Sequence, residues 1–355
     1  MAKSDSALTG GAVVAMRLSA LGDVAMTIPA LYDAALASPG QRFVMVTRSA
    51  FKGIFLDLPA NLTVVGIDPH AEHYRGVKGM WRLFRELRRD YGMTCFIDLH
   101  DVLRSKMIRL FCRLAGIRTS VIDKGRADKK RLTRDGHKMM EPLRPMIQRY
   151  RDTFLRAGLP CPESFAGHEK PAPGSKAAEI AGNRGAGERL VGIAPFAKHR
   201  GKIYPTELME QVVAGLMADP SVRIILFGGG GDEAATLSAW AEKYGQRVTS
   251  LAGKKLGFEV ELGVMSLLDC MVSMDSGNMH LASLAGTPVV SVWGATHPYV
   301  GFGGWRQNAD RCIQLPLECR PCSVFGDKPC KYGDYRCMTG IAPEVIISKI
   351  RSSWK

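Results

Sequence analysis

Short runs of consecutive apolar residues alternate along this chain with longer stretches whose apolar positions recur every three or four residues, and the alternation occurs twice. In the first half the runs at 12–16, 43–47, 62–67, 95–99 and 120–122 predict strands, because unbroken runs of this length suit strands buried on both faces. The stretches 24–37, 80–91 and 103–115 predict helices between them. In the second of these, Leu83, Phe84, Leu87 and Tyr91 form one apolar stripe while Arg82, Arg85, Arg88 and Arg89 point elsewhere, which makes it a basic amphipathic helix. A helical stretch at 142–158 precedes a run rich in Pro and Gly that reads as a linker. The rhythm then restarts, with strands predicted at 190–194, 222–227, 248–251, 270–274 and 289–293. Helices are predicted at 207–218, 232–244, 260–268, 279–285 and 343–354. Strands separated by helices favour parallel sheets, so the expectation is an α/β chain of two Rossmann-like domains. Residues 1–165 would form the first, 166–188 the linker, 189–340 the second, and 341–355 a C-terminal helix.

Folds of this kind bind ligands in loops at the carboxyl ends of their strands, and an active site in an interdomain cleft is expected. The segment from Met274 through Asp275, Ser276, Gly277 and Asn278 to His280 joins a strand to a helix. Its first-turn amides lack intrahelical partners and the helix dipole is positive there, so a phosphate suits the site. A plain turn capped by Ser or Asp is the other reading. A similar loop, Arg17-Leu18-Ser19-Ala20-Leu21-Gly22-Asp23, follows the first strand. Lys198, His199, Arg200 and Lys202 follow the strand at 190–194, and Gly228 to Gly231 with Asp232 and Glu233 follow the one at 222–227. Four successive glycines do not match the G-x-G-x-x-G register of a flavin or NAD site.

Composition narrows the class. At 355 residues, with 46% hydrophobic and 23% charged residues, the chain is an ordinary globular one long enough for two cores. No apolar stretch approaches the roughly 18 residues of a membrane span, and no apolar signal core follows the first six residues, so a cytoplasmic protein is expected. The net charge of +14 is unevenly spread: residues 1–165 hold 27 Lys and Arg against 16 Asp and Glu, a net of +11, leaving +3 for the remainder. Two clusters, 75–89 and 124–138, hold much of it. They suit nucleic acid, anionic lipid or a phosphorylated saccharide. No aromatic-rich stacking strand or zinc-finger spacing accompanies them, which argues against nucleic acid. Of nine cysteines, Cys95, Cys112, Cys161 and Cys270 lie in or beside apolar or helical stretches and read as small buried hydrophobes, with Cys312 also set apart. Cys319, Cys322, Cys330 and Cys337 cluster, with a Cys-x-x-Cys at their head; they admit a structural zinc site or stand as free thiols.

The loop 17–23 with Pro29 downstream is similar to the N-terminal loop of the heptosyltransferases of glycosyltransferase family 9. The block from Met274 to Ala282, continued by Gly286-Thr287-Pro288-Val289-Val290 and Gly294-Ala295-Thr296-His297-Pro298, resembles that family's donor-site block. Phe227 to Glu233, Lys202-Ile203-Tyr204-Pro205 and the four cysteines also resemble family features. The resemblance implies a GT-B enzyme, two Rossmann-like domains facing each other across a cleft. It further implies inverting transfer of heptose from ADP-heptose to the inner core of lipopolysaccharide, at Kdo-lipid A or a heptosyl acceptor. Another GT-B transferase with a different nucleotide sugar, or a nucleotide-sugar epimerase, is the alternative; an epimerase gives no reason for so basic a first domain.

An inverting displacement needs a carboxylate to take the acceptor hydroxyl's proton, and Asp23 is the candidate, with helix capping as its other role. No Asp-x-Asp occurs for a metal, so no cofactor is expected. The leaving diphosphate then falls to Lys202, to the amides after Ser276 and Gly277, and to His280, with Asp275 available to a sugar hydroxyl. Asp232 or Glu233 would accept from the ribose. Lys198 stands where the family often has a small hydroxyl residue. Ser19, Arg104, Lys106, Lys129, Lys130 and Arg131 are the candidates for the phosphates and carboxylates of an anionic glycolipid acceptor. The basic helix would hold the protein peripherally on the cytoplasmic leaflet of the inner membrane.

Overall fold

Continuous apolar runs become strands that neighbours cover on both sides, and this happens in two separate sheets of the computed structural model, which describes residues 10–354. The first sheet comprises β1 (Val13–Met16), β2 (Phe43–Arg48), β3 (Leu62–Ile67), β4 (Cys95–Asp98) and β5 (Arg118–Val121). All pairings are parallel, in the order β3-β2-β1-β4-β5. The order reverses between β1 and β4, and the register sets Met16 beside Asp98. The ends of these two strands are therefore flush where the following loops diverge.

The stretch expected as one helix at 24–37 is two, α1 (Leu21–Ala25) and α2 (Thr27–Leu36). Pro29 explains the break: it has no N–H for the carbonyl of Ala25, and its ring crowds that carbonyl. The basic helix is α3 (Gly76–Tyr91), beginning four residues before the expected start, and α4 (Leu103–Leu114) follows β4. Met80, Leu83, Phe84 and Leu87 of α3 and Ile108 and Cys112 of α4 pack with Val14, Met16, Val44, Val46 and Phe96 of the sheet.

The chain then makes α5 (Arg126–Leu132), which the sequence pattern did not suggest, and α6 (Met146–Arg156). Residues 125–145, with α5, cluster with the second compact unit, although sequence order suggests the first; 146–166, with α6, belong to the first. Arg151 of α6 ties that return by donating to the fully buried Asp33 of α2 from Nη2 at 2.6 Å.

The Pro- and Gly-rich stretch expected as a linker contains α7 (Lys176–Ala181), N-capped by Ser175 and packed on α10 (Phe258–Ser266) through Ala177 and Gly263. The second sheet has β6 (Arg189–Ala194), β7 (Val222–Leu226), β8 (Val248–Ser250), β9 (Cys270–Met274), β10 (Val289–Val292) and β11 (Cys312–Ile313). It is parallel throughout in the order β11-β10-β9-β6-β7-β8, reversing between β6 and β9. α8 (Thr206–Met217), α9 (Asp232–Tyr244), α11 (Gly277–Leu284), the short α12 (Arg336–Thr339) and α13 (Pro343–Ser353) complete it. Ile346 and Ile350 dock α13 in the core made by β6, β9, β10 and α8. Among the described residues, no helix is long and apolar enough to cross a membrane.

Candidate active site

In the first unit the switch point between β1 and β4 gathers a buried polar cluster. Arg17, 4% exposed, donates Nε to the Ser19 carbonyl at 2.9 Å and Nη1 to the Leu99 carbonyl at 2.8 Å, and pairs Nη2 with Asp23 Oδ2 at 2.8 Å. The same Asp23 oxygen accepts the Ala20 N–H at 3.3 Å, so Asp23 does cap α1 as well as facing an arginine. Tyr150 donates its hydroxyl to the Asp23 carbonyl at 3.4 Å. His100 lies at the end of β4, with Nδ1 accepting the Leu18 N–H and Nε2 3.4 Å from Ser19 Oγ. Burial, with Arg17, Lys124 and Arg104 adding, pushes its pKa down to about 3, so it is a neutral imidazole at physiological pH. Asp98, fully buried, accepts from the His100 and Asp101 amides and from Arg109 Nη1 at 3.1 Å. Ser19, Asp23 and Arg104 thus share one neighbourhood; Lys106 is exposed and lies 4.0 Å from Asp101.

The second unit repeats the arrangement at the switch point between β6 and β9. Lys202 Nζ is 2.8 Å from Asp275 Oδ2, with the two side chains 13% and 4% exposed, and Thr296 Oγ1 donates to that oxygen at 2.8 Å. Asp275, expected to face a sugar hydroxyl, is therefore the counter-ion that holds Lys202. Ser276 is the N-cap residue of α11 with no side-chain cap; its Oγ lies 3.2 Å from Ser273 Oγ, and the first-turn amides of Gly277 and Asn278 begin the helix. His280 is buried in that helix. At the end of β7, Glu233 Oε2 accepts the Gly229 N–H at 2.7 Å, bracing the glycine loop, while Asp232 is exposed at the start of α9. Lys198 is exposed.

Two further elements support Lys202. Gly326 adopts φ +74°, and a Cβ there would fall 2.6 Å from Lys202 Cγ, so the aliphatic stem of the lysine lies across a position only glycine fills without strain. Arg320, 3% exposed, donates to the carbonyls of Trp293, Gly294, Thr296 and Leu315 and thereby fixes the strand-end loop that carries Thr296. His297, in that loop, is pushed down to about 4 by burial and by Arg320.

His100 and Arg320 are not among the candidates that sequence pattern yields, and Arg17 and Thr296 lie in the two family-like blocks without a role assigned to them there. The signal for His100 is its place after β4, equivalent to that of Asp23 after β1; Arg320 lies inside the Cys-x-x-Cys, where attention goes to the thiols. The remaining acceptor candidates sit on α5 in the second unit. There Lys129 is buried with Nζ 4.3 Å from the Phe302 ring, Arg131 pairs with Asp128, and Lys130 is exposed. Cys319, Cys322, Cys330 and Cys337 line one cavity with Arg320 and Tyr335. All are free thiols, and among the described residues no group of three or more His, Cys, Asp and Glu is placed to hold a metal ion.

The model of glycosyltransferase family 9 (heptosyltransferase) matches residues 80–333. Lipopolysaccharide heptosyltransferase 1 of Pseudomonas aeruginosa is 25% identical over 335 residues, which cover 90% of this chain and 87% of that protein. A family 9 glycosyl transferase from Veillonella parvula superposes with a TM-score of 0.75 at 17% identity, covering 97% of each chain. The E. coli heptosyltransferase WaaC, solved with ADP, superposes with a TM-score of 0.63 at 21% identity, covering 96% of this chain and 99% of WaaC. Both share the pair of parallel-sheet α/β domains. The chain belongs to glycosyltransferase family 9, the heptosyltransferases, and is a glycosyltransferase.

Proposed function

We propose that the protein transfers heptose from ADP-heptose to the inner core of lipopolysaccharide, onto Kdo-lipid A or a heptose already attached, with inversion at the anomeric carbon. The observation that carries the reading is the Lys202–Asp275 pair beside the start of α11, at the switch point of the second sheet. A fixed cation and unpaired first-turn amides suit a nucleoside diphosphate, and a relative of the same fold is WaaC, solved with ADP. The acceptor is lipid-borne, so the protein works as a peripheral protein at the cytoplasmic face of the inner membrane.

In this reading the first unit takes the acceptor and the second the donor. Asp23 removes the proton from the acceptor hydroxyl as its oxygen attacks the anomeric carbon from the side opposite ADP. Arg17 keeps that carboxylate in place, and Ser19, Arg104 and Lys106 meet the acceptor's anionic groups. As the glycosidic bond to ADP breaks, Lys202 and the α11 amides take up the charge growing on the diphosphate, a role worth about 10²–10³ in rate for a single donor. Asp232 or Glu233 accepts from the ribose. The sequence has no Asp-x-Asp, and this set of groups performs the transfer without a cofactor.

The test is ADP release from ADP-heptose with and without a Kdo-bearing lipid A acceptor. Acceptor-dependent release is expected, together with a rise in melting temperature for ADP that exceeds that for UDP or GDP. No release with several such acceptors, or a preference for another nucleotide, overturns the reading.

A further inference from the structure

Among the described residues, nothing packs on the outer face of α4, and that face is apolar. Leu103, Leu110 and Leu114 are 74%, 53% and 78% exposed, and with half-buried Met107 they recur at intervals of four, three and four residues. At 100° per residue that spacing puts all four on one stripe, opposite Ser105, Ile108 and Cys112, which face the core. Beside it, α3 exposes Val77 and Trp81; the Trp81 ring meets Phe111 of α4 edge-on at 5.1 Å and stacks with Phe84 at 5.2 Å. The two helices therefore present one continuous apolar patch within the first unit.

Basic residues rim this patch. Lys78, Arg82, Arg85, Arg88 and Arg89 on α3 are exposed, as are Lys106 and Arg113 on α4, and α4 has no acidic residue. The two acids of α3 are engaged nearby, Glu86 with His73 and Tyr74 and Asp90 with Arg89. Trp81, Phe84, Arg85, Arg88 and Arg89 line a shallow hollow. A cationic rim about exposed leucines with a half-exposed tryptophan suits the boundary between headgroups and acyl chains: the leucines leave water, the indole sits at the interface, and the arginines meet lipid phosphates.

We propose that this α3–α4 face docks on an anionic lipid bilayer. The proposal gives a definite surface to the peripheral location read above, and rests on that reading only for which membrane is meant. Partner helices or a second copy would also cover leucines, but neither calls for a rim of seven exposed cations, of which Arg89 and Lys106 alone have a carboxylate within 4.0 Å among the described residues.

The experiment is co-sedimentation of the full chain with vesicles of phosphatidylcholine alone or mixed with phosphatidylglycerol. Binding to the mixed vesicles only, weakened by salt, is expected. Each arginine near the surface is worth about fivefold in partition, so Arg85→Glu/Arg88→Glu should lose about 25-fold or more, and Leu110→Asp/Leu114→Asp a comparable amount. Quenching of tryptophan emission by brominated lipid should disappear in Trp81→Phe. Unchanged circular dichroism and unchanged turnover on a short water-soluble acceptor separate loss of docking from loss of fold or of function. Equal partition of wild type and charge variant, equal binding to both vesicle types, or dimerisation abolished by the leucine variant overturns the proposal. None of these readouts depends on the identity of the donor sugar.

Discussion

Arg17 commits each guanidinium nitrogen to a different partner, two carbonyls and the Asp23 carboxylate, so the orientation of Asp23 is set by the end of β1 and the start of α1 together. Asp23→Ala is expected to lower kcat by about 10²–10⁴ while leaving ADP binding intact, as loss of a general base does; near-normal turnover would leave Asp23 as a cap alone. His100 makes a different prediction. Its ordinary value is 6.5 and burial holds it near 3, so in acid the unfolded chain takes up a proton that the folded chain refuses. The stability linked to it is complete above pH 6.5 and is lost as pH falls from there towards 3, at up to about 1.4 kcal/mol per pH unit. Urea unfolding at pH 7 and pH 5 should show wild type losing ~2 kcal/mol that His100→Asn retains. Equal losses would mean that His100 titrates normally.

Elements explain what sequence pattern revealed and what it concealed. Parallel strands announce themselves because both faces are buried and the run is continuous, and the ten expected strands all appear within a few residues of their predicted places. β11 has only two residues and leaves no pattern. Helix starts were harder: α3 begins at Gly76, in a stretch of mostly exposed residues where no apolar period exists to be seen. α7 was hidden because Pro171 and its neighbours suggest a loop, yet Pro171 itself packs near Gly263. The site divides in the same way. Asp23, Lys202 and Asp275 were legible as polar residues at strand ends, whereas Arg320 acts from a segment with no regular structure, through carbonyls that no side-chain pattern encodes. Arg320→Lys cannot reproduce that fork of donors. It should cost about 3 kcal/mol in stability and raise KM for the donor while ADP still protects against unfolding, as measured by thermal melts with and without nucleotide. An unaltered melt and KM would show that the loop holds itself.

At the scale of the molecule, two sheets built on the same plan each present one switch point, and the loops at each carry a partly buried arginine- or lysine-to-carboxylate pair: Arg17 with Asp23, Lys202 with Asp275. In the first pair the carboxylate is the proposed reacting group and the cation its brace; in the second the proposed roles are reversed. That reversal has a kinetic side. Lys202 carries its own counter-ion, so in the proposed roles an arriving diphosphate shares the ammonium with Asp275, and a departing one leaves it with a partner already in place. Asp275→Asn removes the competitor. ADP should then bind about tenfold more tightly and dissociate more slowly, so that turnover shows a burst followed by a steady state set by product departure. Stopped-flow displacement of ADP measures this directly, and unchanged dissociation would refute it. The carboxylate beneath Lys202 then acts as an ejector, giving up some grip on the nucleotide so that the site clears for the next sugar.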